Sequence, residues 1–318
     1  LIVTTNLSSP TAIANSNHTP CTQPHNASTC TTCLLHGVVN AIRSGTSISA
    51  AMLAARLPEI FSELTEGAEQ DAHSCLTALY DHYATNMNPT MGDEILIGTT
   101  SKIKGERCNC EPTHQVFDTV LNLAIDGHET LVQAFNAHFK PTRLEGDNKW
   151  KCGNPTCVHK EKAQTATKSD HLTSIPPTLT LALRRHKQEG GKVTKDSRSI
   201  SFPEELTNPL NHDTLELKAV IIHSVRKTGG HYTAYVKTGG GWWLCDDATV
   251  RAATQHEVLS SEAYVLSYQR QDTTAITTGH TQTRPQQTPE PEDGPQYNEQ
   301  RPEVQEVTPN QRDQRERL

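Results

Sequence analysis

The apolar pattern is compatible with an α+β fold, with helices in the first third, mainly strands after it and a terminal stretch without a core. Three observations carry this reading. Apolar residues recur near helical spacing between Ile48 and Leu64 (Met52, Leu53, Ala55, Leu57, Ile60, Phe61) and again after Gln70 (Leu76, Leu79, Tyr80). From Ile95 onward, short runs rich in Val, Ile, Leu, Thr and Tyr alternate with turn residues. From Gln269 the apolar periodicity ends and Thr, Gln, Pro and Glu dominate. The expected organisation is a folded unit over 1–269 and a disordered tail over 270–318. A hydrophobic content of 34% and an aromatic content of 5% suit a chain of which only part builds a core.

Charge and cysteine usage narrow the function classes. A net charge of −7 disfavours nucleic acid and anionic membranes as partners. No apolar run approaches the length of a membrane-spanning helix, and no signal peptide is visible. The chain begins at Leu1 rather than Met, which reads as a fragment or a processed piece. Of nine cysteines, the close pairs Cys30/Cys33 and Cys108/Cys110 look like metal ligands rather than a disulfide framework, so a cytoplasmic or nuclear setting is expected. Sequons begin at Asn6, Asn17 and Asn26, and without a secretory signal they read as chance matches.

Residues 1–29 are polar and read as loop. Cys30 and Cys33 then open an amphipathic helix, with Cys21 and His25 upstream and His36 downstream. Cys21, Cys30, Cys33 and His36 make a candidate Cys3His zinc site, and the alternative is a pair of buried thiols at a helix start. Pro58 breaks the following apolar pattern into two short helices. A further helix starts about Gln70, with Glu69 and Asp71 near its N-terminus. Strands are expected over 95–104 and from Val116 to Ile125, and a helix from His128 to His138. Cys152 and Cys157 follow as a further cysteine pair. Ile175 to Arg185 reads as a turn feeding a buried strand, and strands are expected from Leu215 to Val225 and Ala263 to Tyr268.

The stretch from Gly229 to Asp247 organises the rest. It reads Gly-Gly-His-Tyr-Thr-Ala-Tyr-Val-Lys, then Thr-Gly-Gly-Gly, then Trp-Trp-Leu-Cys-Asp-Asp. Two strands around the glycine turn bring His231 and Asp246 to the same end of a hairpin. A carboxylate beside an imidazole holds it in one tautomer and orientation, as a general base requires. This stretch resembles the histidine box of the ubiquitin-specific proteases, papain-like cysteine proteases that cleave after the ubiquitin C-terminus. The resemblance implies that His231 is the general base, Asp246 its orienting partner and Asp247 an assisting acid.

Other segments carry the same resemblance. Asp71-Ala72-His73 and Leu76 match the family's second box, with Ser74 and Cys75 in place of the usual Glu and Phe. There Asp71 is implied to hold the extended ubiquitin tail, with Tyr232 lining its channel. The two downstream cysteine pairs resemble the zinc ribbon of the family's fingers, although the family normally has two Cys-x-x-Cys pairs. Some members also carry a Cys…Cys-x-x-Cys…His cluster like the upstream one, with the histidine at the position of Val38. His223 lies in the strand before the histidine box and is read as structural or as lining the tail channel. The implied fold is a right-hand arrangement of helical thumb, cysteine-bearing fingers and palm. The implied activity is thiol-dependent hydrolysis after ubiquitin's last glycine, with no catalytic cofactor, structural zinc as an option, and ubiquitin and ubiquitinated proteins as partners.

The family's nucleophile box, roughly Gly-Asn-Thr-Cys, is not found. Ser28-Thr29-Cys30 echoes part of it, yet Cys33 follows and the required Asn does not. The expectation is that the chain begins just after the box and lacks the thiolate needed for covalent catalysis. The alternative is a pseudo-enzyme that binds ubiquitin as a scaffold.

Overall fold

The computed structural model describes residues 31, 33, 37, 55–61, 70–86, 95–189, 192–226 and 229–271. Cys21, Cys30 and His36, most of the Ile48–Leu64 pattern and the tail from residue 272 lie outside them.

Helix α1 (Leu57–Ile60) starts with Pro58 in its first turn, where a missing N–H costs nothing. Helix α2 (Ala72–Asn86) begins two residues later than the sequence suggests. Asp71 lies outside it as a capping residue, its Oδ1 accepting from the Ser74 N–H at 3.0 Å. Strands β1 (Ile97–Gly105), β2 (Thr113–Asp118) and β3 (Leu121–Ala124) follow. The single strand expected from Val116 to Ile125 is thus two, broken at 119–120. The first half pairs antiparallel with β1, whereas the second joins another sheet in parallel.

Helix α3 (Leu131–His138) opens with a reciprocal capping box between Thr130 and Gln133 and buries Leu131, Ala134 and Phe135. Next come β4 (Thr142–Leu144), β5 (Trp150–Lys151), β6 (Ala163–Gln164), β7 (Ala166–Ser174) and β8 (Thr178–Arg184). The chain continues with β9 (His186–Glu189), β10 (Lys192–Lys195), β11 (Glu205–Thr207), β12 (Thr214–Arg226), β13 (Gly229–Thr238), β14 (Gly241–Asp246) and β15 (Thr249–Ala253). Helix α4 (Gln255–Leu259) and strand β16 (Ala263–Arg270) complete the described chain. Among the described residues no helix is long and apolar enough to cross a membrane.

The large sheet has the order β15-β14-β13-β12-β16-β8-β3, with β11 paired to β12. A four-stranded sheet, β2-β1-β7-β4, carries the cysteine-bearing ribbon beyond it. One face of the large sheet packs Leu181, Leu183, Leu217, Leu266, Tyr268 and Trp242 with α3 into the main core. The other face packs Ala182, Val265 and Tyr264 against Leu76 and Tyr80 of α2. Period-two alternation explains this division along β8, where Leu179, Leu181 and Leu183 face one way and Ala182 the other.

Leu181 is 0% exposed at the centre of the main core. Leu181→Ala is expected to cost about 3 kcal/mol through lost burial and a residual cavity. A shift of the urea midpoint with an unchanged m-value checks this, and a near-zero shift contradicts the packing described.

Candidate functional site

The hairpin of β13 and β14 turns at Gly239 and Gly240, whose φ angles are +59° and +81°. Thr238 pairs with Gly241, so the loop has the two left-handed residues of a type I′ turn, which glycine adopts without strain. That turn fixes the register. Tyr235 pairs with Leu244, which puts Trp242, Leu244 and Asp246 on one face with Tyr235, Thr233 and His231. His231 Nε2 and Asp246 Oδ1 then meet at 2.5 Å. The His231 side chain is 16% exposed and that of Asp246 41%, so the pair sits at a partly open edge. Asp247 places a carboxylate oxygen within 4.8 Å of both. It occupies the left-handed region at φ +50°, in the tight turn between β14 and β15. With Nε2 committed to Asp246, Nδ1 is the nitrogen left to take a proton from a thiol.

The next residue, Tyr232, leaves β13 on the opposite face and meets the start of α2. Its hydroxyl donates to Asp71 Oδ2 at 3.2 Å, and the Tyr264 hydroxyl donates to the same oxygen at 2.7 Å. Burial works to raise the Asp71 pKa. The hydrogen bonds from Tyr264, the Ser74 N–H and Tyr232, with nearby His73, outweigh it, and the carboxyl ends below its ordinary range. Burial and then the charge of Asp71 push the Tyr264 phenol up, so it remains a donor. His223 stacks on Tyr232 with ring centroids 4.5 Å apart, and its pKa is lowered by burial and then by Lys195 and His186. A Cβ at Gly230 would lie 2.4 Å from His223 Nε2, so any side chain here would displace the His223 ring from its stack. Asp71 and Tyr232, both read as candidates from the sequence, are therefore in contact. Tyr264 is a member of this group that the sequence did not single out.

The Sγ atoms of Cys108, Cys110, Cys152 and Cys157 lie within 4.8 Å of one another. A tetrahedral zinc site with Zn–S bonds of about 2.3 Å has sulfurs about 3.8 Å apart, so this donor set fits the ion. N–H groups of Gln164, Asn154 and His159 point at Cys108, Cys110 and Cys157, each at 3.4 Å, as thiolate ligands require. Without a cation the four cannot ionise together. Burial, then Cys152 and Cys157, push the Cys110 thiol up to about 12, while the Cys110 backbone N–H lowers Cys108. Of the upstream candidates only Cys33 is described, in a helical residue, so the Cys3His site lies outside the described residues. Cys75 and Cys245 are both held up by burial, the opposite of what a reactive thiol needs.

Because the folded-state pKa of Asp71 is lowered, its contribution is complete above the unfolded Asp range and is lost as pH falls through the folded value. Asp71→Asn is expected to cost about 1–2 kcal/mol at neutral pH, and the gap from the parent chain should close on acidification. Urea unfolding across the acid range checks this, and a pH-independent gap contradicts it.

The ubiquitin carboxyl-terminal hydrolase family model matches residues 2–268. Ubiquitin carboxyl-terminal hydrolase 16 of Arabidopsis thaliana is 31% identical over 261 residues, covering 73% of this chain and 25% of that protein. Ubiquitin C-terminal hydrolase 15 of Oryza sativa subsp. japonica is 27% identical over 270 residues, covering 76% of this chain and 27% of that protein. The chain thus spans about a quarter of the length of these relatives. A solved SAGA Ubp8/Sgf11/Sus1/Sgf73 deubiquitinase module bound to ubiquitin aldehyde superposes with a TM-score of 0.65 at 22% identity, over 85% of this chain and 66% of that one. That likeness shows the α+β fold. With the family model matched over residues 2–268, the chain belongs to the ubiquitin carboxyl-terminal hydrolases, among the ubiquitin-specific proteases.

Proposed function

We propose that this chain supplies the base and the ubiquitin-tail site of a cysteine-type deubiquitinase. The His231–Asp246 contact at 2.5 Å, built by the register of the β13–β14 hairpin, carries the reading. His231 Nδ1 accepts the thiol proton and later returns it to the leaving amine, while Asp246 holds the ring and Asp247 adds a second carboxylate. The carbonyl attacked is the one after ubiquitin's last glycine. Asp71 and Tyr232 receive the extended tail on the opposite face of β13. The nucleophile belongs outside the described residues, since four of the described thiols are in the cluster, Cys75 and Cys245 are raised by burial, and Cys33 lacks the Asn of the nucleophile box. Cys108, Cys110, Cys152 and Cys157 would hold zinc as a structural ion that fixes the ribbon.

A ubiquitin probe with a C-terminal thiol-reactive group tests this on the 318-residue chain and on a form carrying a nucleophile box ahead of Leu1. Labelling is expected only with the box, and His231→Ala should reduce its rate by at least about 100-fold. Labelling of the 318-residue chain at Cys21, Cys30 or Cys33 would place the nucleophile there and remove that residue from the upstream metal set. Binding of free ubiquitin with no labelling in either form would favour a non-catalytic scaffold.

The zinc reading has its own test. Elemental analysis should find about one zinc per chain at the ribbon, lost in Cys157→Ser together with several degrees of Tm. Equal zinc content in parent and variant would rule out the ribbon as the site.

A further inference from the structure

Strand β16 does not alternate along its whole length. Leu266 and Tyr268 face the main core, so strict alternation would put Tyr264 there too. Tyr264 instead packs with Val265 on the α2 face, and Ala263 packs on the main-core face. The pairing shows why. Ile221 pairs with Val265 and Ile222 with Ala263, which leaves Tyr264 as the extra residue of a β-bulge. The bulge is what turns the Tyr264 hydroxyl toward Asp71.

A bulge disrupts the ladder and leaves backbone groups that need other partners. Here the Ala263 carbonyl accepts from Arg185 Nε at 2.6 Å. Arg185 is 1% exposed, just beyond the end of β8. Its Nη1 also donates to the Asp196 and Arg198 carbonyls, at 2.9 and 2.8 Å. One planar cation thus joins three segments through backbone oxygens. Lys195 fastens the other side by donating to the His223 carbonyl at 2.6 Å and pairing with Glu262.

We infer that Arg185 is a positioning residue for ubiquitin-tail binding: by holding the Ala263 carbonyl it fixes the bulge that aims Tyr264 at Asp71. The guanidinium reaches the three carbonyls from two nitrogens, Nε and Nη1, whereas a lysine ammonium presents one. The inference rests on the deubiquitinase reading in one respect, the identity of the ligand at Asp71.

The experiment is a double-mutant cycle of Arg185→Lys and Tyr264→Phe, read by affinity for intact ubiquitin and for ubiquitin lacking its C-terminal tail. Each single variant is expected to weaken intact ubiquitin about tenfold, while tail-less ubiquitin stays within about twofold. The double variant should be no weaker than either single one. Additive losses, or an Arg185→Lys loss equal for both ubiquitin forms, would overturn the inference and leave Arg185 a general core residue. Arg185→Met has a similar length, removes the donor to Ala263 and gives the same reading if the lysine variant does not fold. If Tyr264→Phe leaves the tail dependence intact, the inference fails whatever the Arg185 variants do. If the parent chain does not distinguish the two ubiquitins, the deubiquitinase reading fails instead. Coupling between Arg185 and Tyr264 is then read from the same cycle in urea unfolding, where additivity overturns it.

Discussion

Asp71 accepts hydrogen bonds from two tyrosines that lie 161 and 193 positions further along the chain. Those bonds set the start of α2 against the large sheet. The apolar contacts of Leu76 and Tyr80 with Ala182 and Val265 are non-directional and would tolerate sliding. The carboxylate removes that freedom, because each of its oxygens has a fixed donor. Oδ1 is held by the helix's own Ser74 N–H and Oδ2 by the two phenols. A partly buried polar group satisfied in this way specifies one arrangement more than it adds stability.

The same helix start lies against one face of β13 while the His231–Asp246 pair forms on the other. Successive residues of one strand, His231 and Tyr232, therefore serve the two halves of the site. A shift of β13 by one residue would exchange them, sending the imidazole toward Asp71 and the phenol toward Asp246. The I′ turn at Gly239 and Gly240 excludes that shift on one side of β13, and the continuous pairing from Ala219↔Val236 to Arg226↔Gly229 excludes it on the other. The precision of the site is thus a property of hairpin register before it is a property of any catalytic side chain.

That distinction explains what was legible in the sequence. His231 and Asp246 could be brought together on paper because a glycine turn and period-two alternation fix the geometry between them. Asp71 and Tyr232 could be named only by resemblance, since nothing local says that residues 161 positions apart will touch. Tyr264 was not legible by either route. The run Ala263-Tyr-Val-Leu-Ser-Tyr268 shows a regular strand, and alternation sends Tyr264 to the wrong face. The bulge that reverses it is stabilised by Arg185, remote in sequence and of a type usually expected at the surface. The break within Val116–Ile125 was missed for a related reason. Apolar residues stand on both sides of Asp118-Thr119, and it is pairing to two different sheets that separates them.

The departures from the family pattern fall where the fold can absorb them. At Ser74 the contact to Asp71 runs through the backbone N–H, which any residue but proline supplies, so the missing acid leaves that carboxylate in place. In the ribbon the wider Cys152–Cys157 spacing is taken up by a turn around Asn154. There Asn154 Oδ1 accepts from the Thr156 N–H at 3.0 Å and the Asn154 carbonyl accepts from the Cys157 N–H at 3.1 Å. Four sulfurs need only converge, and loops of different length can bring them together. His231 and Asp246 have no such latitude, because one added residue in β13 or β14 would send one of them to the opposite face. Loop-borne ligands tolerate changed spacing, and strand-borne partners do not. On that ground the intact histidine box weighs more heavily for chemistry than the altered cysteine spacing weighs against it.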